Sequence, residues 1–313
     1  MSVLTIDVVG RAMFGADLVT EAPPLKRSLA TGQRLALLGA FLPAPRGPMT
    51  TWVVQRLARR LATARSRTRS SNSSATASSR PREPGSHRRR GDTAGTRNMV
   101  EPLAAARETD GSTQNKQEIR NEIATSLVAG HEPTAMALTW SLALLSACPQ
   151  ARQRLEAGVG AQVGDGTAPD QLLWTTAVIS EAMRLYPPAW TLERTALADD
   201  NVRGTLVPAG SMVAVLPYLI HRNPAVWPNP VGFDPGRFLP GTPERHRYAW
   251  LPFGGGKRGC IGAGFARQEA VLVLARLCRH YRLDLTGPGM PRPRGFVTLR
   301  PAEPVTMRLT RRD

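Results

Sequence analysis

Residues 117–148, QEIRNEIATSLVAGHEPTAMALTWSLALLSAC, constrain the fold of this 313-residue chain more than any other stretch. The spacing of apolar residues predicts one long helix, apolar on nearly every side in its second half. Such a helix has to be buried, so other elements must wrap it. His131, Glu132 and Pro133 interrupt the apolar run, and neither this segment nor any other reads as a membrane span. Pro149 either stops the helix or opens the next one. QARQRLEAGVGAQV and QLLWTTAVISEAMRLY predict two further helices, the second ended by Pro187 and Pro188, and CIGAGFARQEAVLVLARLCRHY predicts a last long one. Between them, NVRGTLVPAGSMVAVLPY sets turn residues among β-branched runs, as in a small antiparallel sheet, and FVTLR and PVTMRLT read as short strands. The expected fold class is mainly α with a minor antiparallel β part.

A hydrophobic content of 42% is enough to fill a core, but the charge is unusual at +17. Nine arginines between positions 65 and 97 face only Glu83 and Asp92, and eight of the nine fall in the Ser-rich run RSRTRSSNSSATASSRPREPGSHRRRG. With almost no large apolar residue to offset the entropy of ordering, residues 62–98 are expected to be disordered. The run has no interleaved aromatics, so it reads as a solvated segment and no nucleic-acid partner is expected. Residues 1–61 show helical spacing in short pieces, broken by Pro23, Pro24 and PAPRGP. Residues 99–313 form the main body.

The three cysteines, Cys148, Cys260 and Cys278, are an odd number with no CxxC spacing, which argues against a disulfide framework or a structural zinc site. A reducing, cytoplasmic setting fits this usage. The N-terminus MSVLTIDVVG has Asp7 and no basic flank, so it does not read as a signal peptide.

One cysteine stands apart. In FGGGKRGCIG (253–262) Cys260 lies among five glycines, after Lys257 and Arg258, where a loop runs into a helix N-terminus. Free backbone N–H groups and the helix dipole favour an anion there, so a cysteine in such a place can act as nucleophile or metal ligand. A nucleophile needs a base, and no nearby histidine follows the cysteine-protease pattern. The glycines let the backbone turn tightly and let a bulky flat partner approach. A large cofactor meets that need.

These residues also carry a resemblance. Phe253, Gly256, Arg258, Cys260 and Gly262 match the FxxGxRxCxG signature of the haem-thiolate monooxygenases, the cytochrome P450 family. AGHEPT (129–134), EAMR (181–184) and FDPGRF (233–238) resemble three further family motifs in the family's order. The likeness is good over 117–313 and looser over 1–61, so the resemblance implies the C-terminal portion of the P450 fold. Residues 99–313 would be the haem-binding core and 1–61 a partial helical region, with the N-terminal part of the fold incomplete. Both flanks of 62–98 resemble the family while that segment does not, as a reading-frame slip would produce.

The resemblance assigns roles as well. Cys260 would be the axial ligand to the iron of haem b, with Phe253 beside the sulfur and Gly256 and Gly262 permitting the turn and the close approach. Arg258 would pair with a haem propionate, and Arg194 with another. Glu181, Arg184 and Arg237 would form a buried charge network that supports the cysteine loop, while His221 in YLIHRNP receives no role. Ala129 and Gly130 would leave room for dioxygen, and Glu132 and Thr134 would serve proton delivery. Pro133 departs from the family, which usually has threonine there, and Thr134 lies about 100° further round the helix. The implied activity is monooxygenation of a small organic substrate by a monomer, with electrons from a ferredoxin- or flavodoxin-type donor and its reductase steered by Lys257, Arg258 and Arg267. The alternatives are an inactive, degenerate P450 fragment and a basic nucleic-acid-interacting protein.

Overall fold

A computed structural model describes residues 1–14, 115–160 and 168–312, with isolated positions 102, 105 and 111. The segment 62–98 and most of 1–61 lie outside the described residues. Two compact units are present, one of Met1–Thr5 with Gly130–Asp313 and one of Ile6–Ala129. Helix α1 (Ser2–Phe14) lies in the second from Ile6 onward and buries Ile6 and Val9. The Asn115 side chain caps α2 (Lys116–Ala147), accepting from the Gln117 and Glu118 N–H groups at 2.9 and 3.0 Å, while Glu118 accepts from the Asn115 N–H at 2.6 Å. This reciprocal capping box fixes where the long helix starts.

The first unit is built around the second half of α2, which runs unbroken through Pro133. Ala137, Leu138, Leu142 and Leu145 pack with Leu155 of α3 (Pro149–Gly160), Ile179 of α4 (Leu173–Leu185) and Leu274 of the last long helix. Pro149 thus opens α3 one residue after α2 has ended. The all-round apolar pattern of α2 is explained by this burial on several sides. Its polar groups are satisfied: the Ser141 hydroxyl donates to the Ala137 carbonyl at 2.7 Å, and the Trp140 indole N–H to the Leu299 carbonyl at 3.1 Å. Trp140 also stacks on Tyr186 with centroids 3.9 Å apart and planes 7° apart.

The β part consists of four two-stranded antiparallel sheets among the described residues. Strand β1 (Leu192–Thr195) pairs with β4 (Met212–Val215), and β2 (Asp200–Val202) with β3 (Thr205–Val207). A short helix α5 (Pro217–Ile220) follows, and α6 (Ala263–His280) leads into β5 (Tyr281–Leu285). The chain then forms the hairpin β6 (Pro293–Gly295) and β7 (Leu299–Pro301), and β8 (Met307–Arg311) returns to pair with β5. Neither β5 nor β6 is predicted from the sequence: β5 alternates Tyr281, Leu283 and Leu285 with Arg282 and Asp284, but it follows the helical pattern of α6 without a break, and β6 is three residues with a proline and a glycine. Helix α6 starts at Ala263, three residues later than its sequence pattern suggests, because Gly262 caps it and leaves Cys260 in the loop.

Candidate functional site

Glu181 and Arg184 lie one helical turn apart on α4 and both are 0% exposed. The Arg184 guanidinium grips the Glu181 carboxylate bidentately, with Nε and Nη2 donating at 2.7 and 2.8 Å. Its remaining N–H groups reach three carbonyls: those of His221 at 2.8 Å, Pro230 at 2.6 Å and Gly232 at 2.9 Å. Arg237 sits in a 3₁₀ turn (Pro235–Phe238) and brings its Nε to 3.4 Å from Glu181 Oε1, which also accepts the Asp234 N–H at 2.9 Å. A buried pair survives only when its hydrogen bonds are this complete. Forty-odd residues of connecting chain are thereby fastened to one helix end.

The cysteine loop is tied to that network. Leu251 donates its N–H to His221 Nε2 at 2.7 Å, and the Trp227 indole N–H reaches the Ala249 carbonyl at 3.2 Å. Burial above all lowers the His221 pKa to about 4, so the ring is neutral near pH 7 and can accept. Further along, Gly254 donates to the Leu251 carbonyl at 3.1 Å and Cys260 to the Phe253 carbonyl at 2.9 Å. Gly254 and Gly256 hold φ of +69° and +68°, a left-handed backbone that glycine adopts without strain.

Of the three cysteines, Cys260 alone is exposed. Cys278 is buried in the core, where desolvation pushes its thiol up to about 12, and Cys148 is half-buried. Lys257 and Arg258 are exposed on the 3₁₀ turn Gly256–Arg258, and Arg267 of α6 lies 5.7 Å from the Phe253 ring centroid. Arg194 is exposed on β1, its Nη1 donating to the Glu193 carbonyl at 2.7 Å. It is two residues from Leu192, on the same strand face. The Leu192 side chain in turn lies 3.8 Å from where a Cβ on Gly254 would stand.

On α2, Glu132 and Thr134 are both buried, but two residues apart on a helix they point in different directions. Glu132 Oε1 accepts the Thr298 hydroxyl at 2.8 Å, and the Thr134 hydroxyl turns back to the Gly130 carbonyl at 3.4 Å. Ala129 is exposed and Gly130 half-buried in the same helix. His221, Trp227 and Thr298 are not legible as site residues, since the side chain of each acts through a hydrogen bond to a distant segment. Glu269 of α6 is another surprise: it is buried, both carboxylate oxygens are unpartnered, and desolvation pushes its pKa up to about 7.

A mainly helical body with small antiparallel sheets, an ion network at the end of one helix and an exposed cysteine ahead of another agree with one class, the haem-thiolate proteins. Comparison with known proteins gives the family. The model of the family described as Cytochrome P450 matches residues 1–307, and the chain belongs to that family. Haem b is the cofactor this membership assigns. The chain is 42% identical to cyclooctatin synthase of Streptomyces melanosporofaciens over 207 residues, 64% of this chain and 45% of that protein. It is 36% identical to taurochenodeoxycholic 6 alpha-hydroxylase of Sus scrofa over 208 residues, 64% of this chain and 41% of that one. Cytochrome P450 4A14 of Rattus norvegicus is 34% identical over 217 residues, covering 67% and 43%. The chain therefore spans less than half the length of these relatives. Among the described residues no helix is long and apolar enough to cross a membrane.

The residues present fit the haem group. A Cβ on Gly262 would stand 4.0 Å from the Cys260 sulfur and meet nothing else, and one on Gly256 would meet nothing within 4 Å. No internal packing demands glycine at these two positions. Their bareness leaves clearance beside an exposed thiol, as a flat macrocycle needs.

Proposed function

We propose that Cys260 supplies the thiolate ligand to the haem iron and that the protein is a monooxygenase. In the reaction a substrate C–H bond takes up one oxygen atom of O2, and the other atom leaves as water with two protons and two electrons. The electrons come from a separate ferredoxin- or flavodoxin-type donor. The observation that carries this reading is the exposed Cys260 thiol on a loop fastened, through Leu251 and His221, to the buried Glu181–Arg184 pair. Haem b held by a thiolate supplies dioxygen activation.

The other residues bind, orient and deliver. Arg258 and Arg194 offer guanidinium forks to the carboxylate groups at the macrocycle edge. Gly256 and Gly262 keep clearance, and Phe253 would pack beside the sulfur. Glu181, Arg184 and Arg237 fix the loop in the 99–313 core. Ala129 and Gly130, with a methyl group and no side chain respectively, would leave room for dioxygen. Glu132, which accepts the Thr298 hydroxyl, would take up a proton on its carboxylate and pass it inward. Thr134 contributes once its hydroxyl leaves the Gly130 carbonyl. The exposed Lys257 and Arg258 attract an acidic donor protein.

A second reading, a haem-binding P450 piece without turnover, is favoured by Pro133 within α2, where proline brings no hydroxyl to a proton path. The nucleic-acid reading rests on 62–98, outside the described residues. The deciding experiment is reconstitution with haem b, followed by turnover of a panel of apolar small molecules with a ferredoxin and reductase under labelled dioxygen. One labelled oxygen atom in a product supports the monooxygenase; haem uptake without any labelled product supports the second reading.

A further inference from the structure

We infer that His221 is the positioning residue of the cysteine loop, coupling the buried Glu181–Arg184 pair to the backbone that ends in Cys260. The inference rests on the haem-thiolate reading and names the element by which support reaches the ligand. His221 is 0% exposed and used on two sides. Its carbonyl accepts from Arg184 Nη1 at 2.8 Å, and its Nε2 accepts the Leu251 N–H at 2.7 Å. From Leu251 the hydrogen bonds continue through its own carbonyl to Gly254 at 3.1 Å, and the Phe253 carbonyl takes the Cys260 N–H at 2.9 Å. Four hydrogen bonds, linked covalently through His221, Leu251 and the Phe253–Gly254 peptide unit, thus join the ion pair to the Cys260 amide.

Packing alone does not require a histidine here. Trp227 already fills the space beside this segment and secures Ala249. What His221 adds is a directional acceptor for a buried peptide N–H, which no apolar side chain provides. Accepting at Nε2 places the ring proton on Nδ1, which is turned toward the backbone of Met183 and Arg184 without completing a regular hydrogen bond. The charged groups acting on the ring are Arg184 of α4 and Arg222 just after α5. Both are cations and both, together with burial, oppose its protonation. A protonated ring can no longer accept from Leu251, so the path opens at acid pH.

Two variants separate this role from bulk stability. His221→Gln keeps a side-chain acceptor, whereas His221→Leu keeps only volume. The haem-loaded full chain is reduced under carbon monoxide, and the ratio of thiolate-type to thiol-type Soret bands is read alongside amide exchange at Leu251. His221→Leu is expected to lower the band ratio at least about tenfold and to speed Leu251 exchange by roughly ten- to a hundredfold, the scale of one unsatisfied buried donor. His221→Gln restores most of both. As pH falls from 6.5 toward 4 the wild type loses its thiolate-type band while His221→Gln keeps it, a comparison that holds even if the leucine variant does not fold. Wild-type spectra and exchange in His221→Leu, or loss of the band at the same pH in wild type and His221→Gln, would overturn the role. If the wild type itself shows no thiolate-type band, or Cys260→Ala retains it, the haem-thiolate reading fails instead.

Discussion

Replacing Glu181 by alanine removes the carboxylate that Arg184 grips, the only one within its hydrogen-bond reach among the described residues. Three hydrogen bonds of 2.7–2.9 Å disappear, two from Arg184 and one from the Asp234 N–H, together with the Arg237 contact at 3.4 Å. Arg184 keeps three carbonyl partners but is left as a buried cation without a counter-ion, and Arg237 keeps only the largely exposed Asp234 carboxylate at 3.9 Å. Stranding a charge in this way costs about 3–5 kcal/mol, a large part of the roughly 5–15 kcal/mol that holds a domain together. Urea unfolding of the haem-loaded protein, followed by tryptophan emission, measures the loss as a fall in midpoint at constant slope. Glu303→Ala is the internal control, because its partner Arg292 sits at a similar 2.7 Å but is 82% exposed. The control should leave the midpoint where it was. If Glu181→Ala moved the midpoint no further than Glu303→Ala, burial would not be what gives the network its weight.

Glu269, with its pKa raised to about 7, binds a proton in the folded state that the unfolded chain gives up near 4.5. Stability therefore falls as pH rises from 4.5 through 7, by roughly 3 kcal/mol at most. Glu269→Gln should remove this slope and melt higher than wild type at pH 8, and parallel pH profiles would refute the assignment. Gly295 has the Trp190 ring 2.9 Å from where a Cβ would stand, with that indole donating to the Phe296 carbonyl at 2.8 Å. Gly295→Ala must displace the ring, so a loss of about 1–3 kcal/mol is expected in the same unfolding assay. Pro133→Thr restores a hydroxyl where the family usually has one, and should raise product formed per electron consumed, measured with one donor and a substrate shown to bind. Equal coupling in both proteins would show that Pro133 does not limit proton delivery.

Local signals in the chain were easy to read and distant ones were not. The burial of α2, the helices α3, α4 and α6, and the signature from Phe253 to Gly262 all follow from spacing within one element. Glu181 and Arg184 announce themselves because they share a motif and a helix face. Arg237 is found through its own motif, but its contact with Glu181 bridges more than fifty residues. His221 and Leu251 have nothing in their local sequence to show that one accepts the other's N–H. Thr298 carries no mark of its bond to Glu132, which spans 166 positions. Glu269 looks like an ordinary helix acid, and only the packing of α6 reveals that it is buried. Strand β5 escapes notice because its short alternation runs straight on from the α6 helical pattern, and β6 because three residues with a proline and a glycine carry no strand signal.

Everything proposed for the site depends on Cys260 holding the iron. The direct measurement is the Soret spectrum of the reduced, carbon monoxide-bound protein after stoichiometric haem loading, for wild type, Cys260→Ala and Cys278→Ala. A red-shifted thiolate-type band in wild type and Cys278→Ala, lost only in Cys260→Ala, is the predicted result. A band that persists in Cys260→Ala, or never forms in the wild type, would contradict it.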